Sequence, residues 1–167
     1  MGCDTIAHNA CLNSSAATTA VLPCGIDQIY PKSNADLARE IKDSGGCLLS
    51  EYEPGVKPQK SYFVARDRIQ AGLSHSILLL QSTISGGSMH AIRTMQTLGR
   101  PFSTISPPPG RTKDPQWSGN SQLMREKECT VFDLASEEYL LRNIVDSFLI
   151  SNNSSEDSQS FEQPSLF

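Results

Sequence analysis

Apolar residues along this chain gather in short runs separated by longer amphipathic stretches, the pattern of a layered α/β sheet rather than a helical bundle or β-sandwich. The runs predict strands at Thr19–Leu22, Cys47–Ser50, Ser76–Leu80, Phe102–Ile105 and Thr130–Phe132. Helical spacing predicts helices over Asp4–Leu12, Ala35–Lys42, Ala65–Leu73, Ser88–Leu98 and Glu137–Leu149. Ser33 reads as the N-cap of the second, Gly45-Gly46 as its stop, and Gly99 as the end of the fourth. In the last, Leu140, Leu141, Ile144, Val145 and Phe148 make one apolar face. The Pro-rich segment Ser106–Gly110 predicts an exposed connection. From Ser151 onward the chain is polar, acidic and Ser-rich, which predicts disorder. The organisation expected is one α/β domain over residues 1–150 and a disordered tail over 151–167.

Size agrees with one core: 167 residues, 38% of them hydrophobic. Charge narrows the picture further. The net charge is −4, whereas a protein that displaces counterions from nucleic acid non-specifically carries a basic surplus, so a DNA site here must be local. One segment qualifies. Val56–Arg68 holds Lys57, Lys60, Arg66 and Arg68 against a single acid, Asp67, while Ser151–Phe167 holds acids and no base.

Five cysteines, Cys3, Cys11, Cys24, Cys47 and Cys129, form no C-x-x-C pair and have no histidine at zinc-ligand spacing; buried free thiols and no metal site are expected. The N-terminal residues lack a charged-then-apolar signal, and no stretch approaches the ~20 apolar residues of a membrane span, so a soluble cytoplasmic protein with no membrane partner is expected. Neither G-x-G-x-x-G nor G-x-x-x-x-G-K-[ST] occurs. That argues against the usual dinucleotide and nucleoside-triphosphate enzymes, and no cofactor is expected.

Two segments carry possible chemistry. Ser85-Gly86-Gly87-Ser88 follows an apolar strand and opens a helix. Backbone N–H groups at such a start attract an anion, with Ser88 as cap and additional donor; a plain strand-to-helix turn is the alternative. The second is residues 57–74, in which Lys60, Tyr62 and Phe63 approach, in an extended loop, a helix opened by Arg66 and Arg68. Cations beside aromatic faces suit single-stranded nucleic acid, because phosphates pair with the cations and unstacked bases lie on the rings. The same residues also fit a core Tyr and Phe with surface charge around them.

His8, His75 and His90 are far apart in sequence, and His8 is expected to be structural. Glu51, just past a strand at the sheet's carboxyl edge, has no second carboxylate or nucleophile–histidine pair beside it. It is expected to accept a hydrogen bond, in the direction of an arginine, and no catalytic residue is assigned. Trp117 fits both a base-stacking platform and a loop anchor.

These segments resemble the DprA/Smf family of DNA-processing proteins. Gly2-Cys3-Asp4-Thr5-Ile6-Ala7-His8, with Ala10 and Leu12, resembles the family's G-I-D-x-x-A-H-x-x-A-L. VLPCGIDQIYP at Val21–Pro31 is similar to its V-L-G-x-G-x-D-x-x-Y-P, LLSEYEPG at Leu48–Gly55 to L-L-S-E-Y-x-x-G, and FVARDRIQAGLS at Phe63–Ser74 to F-x-x-R-N-R-I-I-x-G-L-S. Gly86–Ser88 stands where the family has S-G-S, Gly99-Arg100 where it has G-R, and GNSQLM at Gly119–Met124 resembles its later G-T-N-x-L-I turn. The motifs run in the family's order from Gly2 to Met124.

The resemblance implies a Rossmann-like three-layer α/β sheet that dimerises, binds single-stranded DNA and helps to load a RecA-type recombinase. It places DNA contacts on Lys60, Phe63, Arg66, Arg68 and the turn Gly86, Gly87, Ser88. Relative to the family the sheet is N-terminally truncated, since the first strand with its G-S-R turn, a helix and a second strand would lie before Met1. Asp67 replaces the asparagine between the two arginines, Gly86 replaces a serine, and Pro23 replaces a glycine.

Two other functions are weighed against DNA binding. Related Rossmann-like enzymes that cleave nucleotides show P-G-G-x-G-T-x-x-E; here Gly86-Gly87 is followed by Ser88-Met89-His90-Ala91-Ile92-Arg93, without that glutamate. The other is an inactive remnant serving as a partner scaffold. Finally, Gln163-Pro164-Ser165-Leu166-Phe167 resembles the bacterial sliding-clamp-binding motif Q-x-[SD]-L-F, which makes Gln163, Leu166 and Phe167 the expected clamp contacts.

Overall fold

The computed structural model describes residues 2–133. The chain divides into two compact units, Met1–Leu73 and Ser74–Phe167. The helix expected at Glu137–Leu149 and the tail with its Gln163–Phe167 motif lie outside the described residues.

In the first unit, helix α1 (Cys3–Asn13) precedes strand β1 (Thr19–Val21), helix α2 (Ala35–Asp43), strand β2 (Cys47–Leu49) and helix α3 (Lys60–Leu73). β1 and β2 pair in parallel, Thr19 opposite Cys47 and Val21 opposite Leu49. The core lies between this ribbon and α2, whose Ala38 and Ile41 are buried while Asp36, Arg39, Glu40 and Lys42 face solvent. Gly45 ends α2 in the left-handed region at φ +80°, where a side chain would be strained. Ser33 is not the N-cap of α2: Lys32–Asn34 form a 3-10 turn, and Asn34 occupies the cap position with its side chain turned to Thr5 of α1 instead.

The second unit holds strand β3 (Ile77–Leu79), helix α4 (Ser88–Thr97), strand β4 (Phe102–Ile105), helix α5 (Ser118–Leu123) and strand β5 (Cys129–Phe132). The strands lie in the order β3-β4-β5, all parallel. β4 is the central strand and every residue of it is buried, as expected for a parallel strand covered on both faces. α4 turns Met89, Ile92 and Met95, one helical stripe, into the core. It ends with Arg100 N–H on the Met95 carbonyl and Gly99 at φ +63°. The architecture is therefore mixed α/β with parallel pairing throughout the described residues, the five expected strands being shared between a two-stranded and a three-stranded sheet.

The expected cap and loop assignments need three further corrections. α3 begins at Lys60, so Lys60, Tyr62 and Phe63 are helical and not an extended approach. Gly119–Leu123 is helical, forming most of α5. The thiols are not uniformly buried: Cys24 is, Cys11 and Cys129 are half-buried, and Cys3 and Cys47 are exposed; all five are free.

Candidate nucleic-acid interface

In the first unit the two strands deliver their following loops to one place, the carboxyl edge where ligands bind in parallel α/β sheets. Leu22-Pro23-Cys24-Gly25 leaves β1 buried. Gly25 donates its N–H to the Val56 carbonyl (2.8 Å), and a Cβ there would stand 2.5 Å from the Glu53 carbonyl, so the position requires glycine. Ser50, just past β2, donates its hydroxyl to the Cys24 carbonyl (2.6 Å) and accepts the N–H of Tyr52 (3.0 Å). Asp27 accepts the Gly55 N–H at 2.7 Å; that bond, with the Gln28 amide, holds its carboxyl below the usual carboxylate range. The lacing fixes Glu51 and Tyr52 beside α3.

α3 presents the residues that the sequence singles out. Lys60, its first residue, is exposed. Phe63 is half-buried, with the Tyr30 ring edge-on at 5.8 Å and the Arg66 guanidinium 5.5 Å from its centroid, within cation–π range. Arg66 is turned inward: it donates to the Val21 carbonyl (3.1 Å) and to Asp4 of α1 (3.1 Å), and its side chain is 20% exposed. Its Nε is buried and faces Asp67 at 4.0 Å, beyond hydrogen-bond reach. Arg68 points outward, 59% exposed, and is paired with Glu51 (2.6 Å). Glu51 thus has the arginine partner expected of it. Tyr52 and Tyr62 stack face to face, centroids 4.1 Å apart.

Behind Arg66 lies a cavity of about 450 Å³, whose lining includes Asp4, Thr5, His8, Tyr30, Phe63 and Arg66. His8 is half-buried and shares a hydrogen bond with Thr18 (2.8 Å). Burial lowers its pKa, Asp4 raising it in part and Arg66 lowering it further. Its setting is that of a structural side chain joining α1 to the start of β1.

The turn Gly86-Gly87-Ser88 belongs to the second unit. Gly86 has no room for a side chain, since a Cβ would collide with Ser82 Oγ. The loop is held from behind by α5: Asn120, fully buried, accepts the Ser82 N–H (3.0 Å) and reaches the Leu80 carbonyl and Thr104 hydroxyl, while Ser118 Oγ accepts the Ile84 N–H (2.9 Å). Gly87 rather than Ser88 takes the N-cap position, without a side-chain cap bond. The N–H groups of Gly87 and Ser88 meet no acceptor among the described residues. Trp117 is buried against the same unit in a 3-10 turn capped by Asp114, the position of a loop anchor and not of an open platform. Among the described residues no three acidic, cysteine or histidine side chains gather as a metal site, and no helix is long and apolar enough to cross a membrane.

The model of the family described as DNA recombination-mediator protein A matches residues 1–142. The chain belongs to this family. Within the recombination-mediator family, it is 36% identical over 125 residues to the DNA processing protein DprA of Streptococcus pneumoniae, covering 75% of this chain and 43% of that protein. It is 42% identical over 88 residues to the Protein Smf of Synechocystis sp., covering 53% and 22%. The chain therefore spans less than half the length of these relatives. Among solved structures, DNA processing protein A of S. pneumoniae superimposes with a TM-score of 0.69 at 33% identity, covering 78% of this chain and 44% of that one. DNA processing protein A of Helicobacter pylori, solved for its mode of binding single-stranded DNA, superimposes with a TM-score of 0.65 at 21% identity, covering 86% and 73%.

Sequence reasoning missed three groups that the fold brings into play. Asp4 is 62 positions from Arg66 and no pattern links them. Tyr52 was visible only as part of a motif, and its stacking on Tyr62 depends on the loop lacing. Asn120 lay within a recognised motif, yet its grip on the Ser82–Ser88 loop is legible only in three dimensions.

Proposed function

We propose that this chain binds single-stranded DNA in DNA processing of the kind that accompanies natural transformation, as a binding protein without catalysis of its own. The observation that carries the reading is that α3 carries both exposed cations, Lys60 and Arg68, and half-buried aromatic rings, Tyr62 and Phe63. Phosphates need the cations and unstacked bases need the rings. Membership of the recombination-mediator family supports it, as does the likeness to a structure solved with single-stranded DNA binding in view. In this reading Lys60, Arg68 and Phe63 touch the strand and Arg66 braces the end of β1; in the second unit Gly86, its own N–H on the Thr83 carbonyl (2.9 Å), shapes the turn whose open Gly87 and Ser88 N–H groups take a phosphate. A RecA-type recombinase and a second copy of the chain are the protein partners that the family suggests, and the cytoplasm is the compartment where such partners meet. A sliding clamp is proposed for Gln163, Leu166 and Phe167.

The test is a fluorescence-anisotropy titration of the full chain with a labelled oligothymidylate at several salt concentrations. Binding is expected to be weak, with the slope of log K against log salt near −0.7 for each neutralised phosphate. The pair Lys60→Ala and Arg68→Ala removes most of it, and Glu51→Gln, which frees Arg68 from its carboxylate, strengthens it. Equal affinity in the double variant and the wild type defeats the site assignment.

A further inference from the structure

Tyr62 sits in the first turn of α3 with its N–H on the Gln59 carbonyl (2.9 Å), and Tyr52 is fixed at the end of β2 through Ser50. Their rings lie 4.1 Å apart at an interplanar angle of 23°, and both residues are half-buried and not part of the core. An exposed cation stands beside the pair: Arg68 is held next to Tyr52 by Glu51. Phe63, by contrast, already has the Tyr30 edge and the Arg66 guanidinium against its ring. Burial, with the neighbouring Tyr62 and Glu51, raises the Tyr52 pKa, and Arg68 opposes the rise.

We propose that the Tyr52–Tyr62 stack is a base-binding platform that takes one unstacked base of a single strand whose adjoining phosphate lies on Arg68. It rests on the single-stranded DNA reading given above and adds to it a second stacking site, apart from Phe63. A preformed stack anchored at a strand end and a helix start loses little conformational freedom when a base extends it, and every base has a π-face, so the platform binds without sequence preference.

The test uses the full chain, an oligothymidylate carrying a single 2-aminopurine, and the variants Tyr52→Leu, Tyr62→Leu and Tyr62→Phe. Leucine keeps apolar volume and removes the ring; phenylalanine keeps the ring. The leucine variants are expected to lose roughly 5- to 100-fold in affinity, the range set by removing one base-stacking ring. Their melting temperatures stay near wild type, 2-aminopurine quenching on binding disappears, and Tyr62→Phe restores both affinity and quenching. Leucine variants that bind and quench like the wild type overturn the platform alone, provided binding still depends on Lys60 and Arg68. Leucine variants that lose affinity only in proportion to a lost folded fraction overturn it too. A folded wild-type chain that binds no oligonucleotide overturns the single-stranded DNA reading and the platform with it.

Discussion

Arg66 shows what a side chain's neighbours do to its meaning. In the sequence it is one of two arginines framing a carboxylate and reads as a phosphate contact; in the fold it donates to the Val21 carbonyl and to Asp4. Charge and spacing were legible, but the partner across the unit was not, because tertiary pairing leaves no periodic trace. His8 is the opposite case, since its structural role was legible from its place in a helix motif and its bond to Thr18 agrees. It also carries a pH dependence. Burial depresses its pKa from the ordinary 6.5 in the folded state, so on acidification the unfolded chain takes up the proton first. Stability is full at neutral pH and falls as the pH drops below about 6.5 toward the lower folded value. Melting temperatures between pH 7.5 and 5.5 are expected to decline in the wild type and to decline less in His8→Gln, which retains a polar contact for Thr18 and does not titrate. Parallel curves for the two proteins count against His8 as the source.

At the scale of elements, the strands were legible because short apolar runs between glycines and polar stretches have few other solutions in an α/β chain. The start of α3 was not. Tyr62, Phe63 and Val64 favour strands intrinsically, and Pro58 punctuates the approach, yet the packing of Phe63 and Arg66 beneath β1 carries the helix back to Lys60. The β3–α4 loop offers a sharper separation of structure from binding. Gly86→Ala forces a Cβ onto Ser82 Oγ, and Asn120→Ala strips the Ser82 N–H and the Thr104 hydroxyl of a buried partner. Each is expected to lower stability, the second by about 3 kcal/mol. Gly87→Ala has open space and an ordinary helical φ of −54°, so the fold tolerates it. A methyl there does, however, stand beside the open N–H groups that a phosphate would approach. Thermal melts and anisotropy on the three variants are expected to show Gly87→Ala with wild-type stability and reduced DNA affinity. Unchanged affinity would remove the turn from the interface.

Over the whole molecule, net charge −4 sets the limit on what local cations achieve, and a domain that binds single strands weakly, as proposed, would gain most from being held close to DNA by something else. Gln163-Pro164-Ser165-Leu166-Phe167 is the tether proposed here. Its glutamine can make polar contacts while Leu166 and Phe167 fill an apolar pocket, and two large apolar residues in so polar a segment gain nothing unless a partner covers them. Short motifs of two anchors give modest affinity, and a polar linker of a dozen residues raises the effective concentration of the folded domain at DNA threaded through the same clamp. A peptide of residues 157–167 titrated by calorimetry into purified bacterial sliding clamp is expected to bind in roughly the micromolar range, a free energy near −8 kcal/mol. The peptide with Leu166→Ala and Phe167→Ala is expected not to bind. If the unmodified peptide gives no heat up to hundreds of micromolar, the clamp is not its partner, and the strand-binding surface proposed on α3 would have to reach DNA unaided.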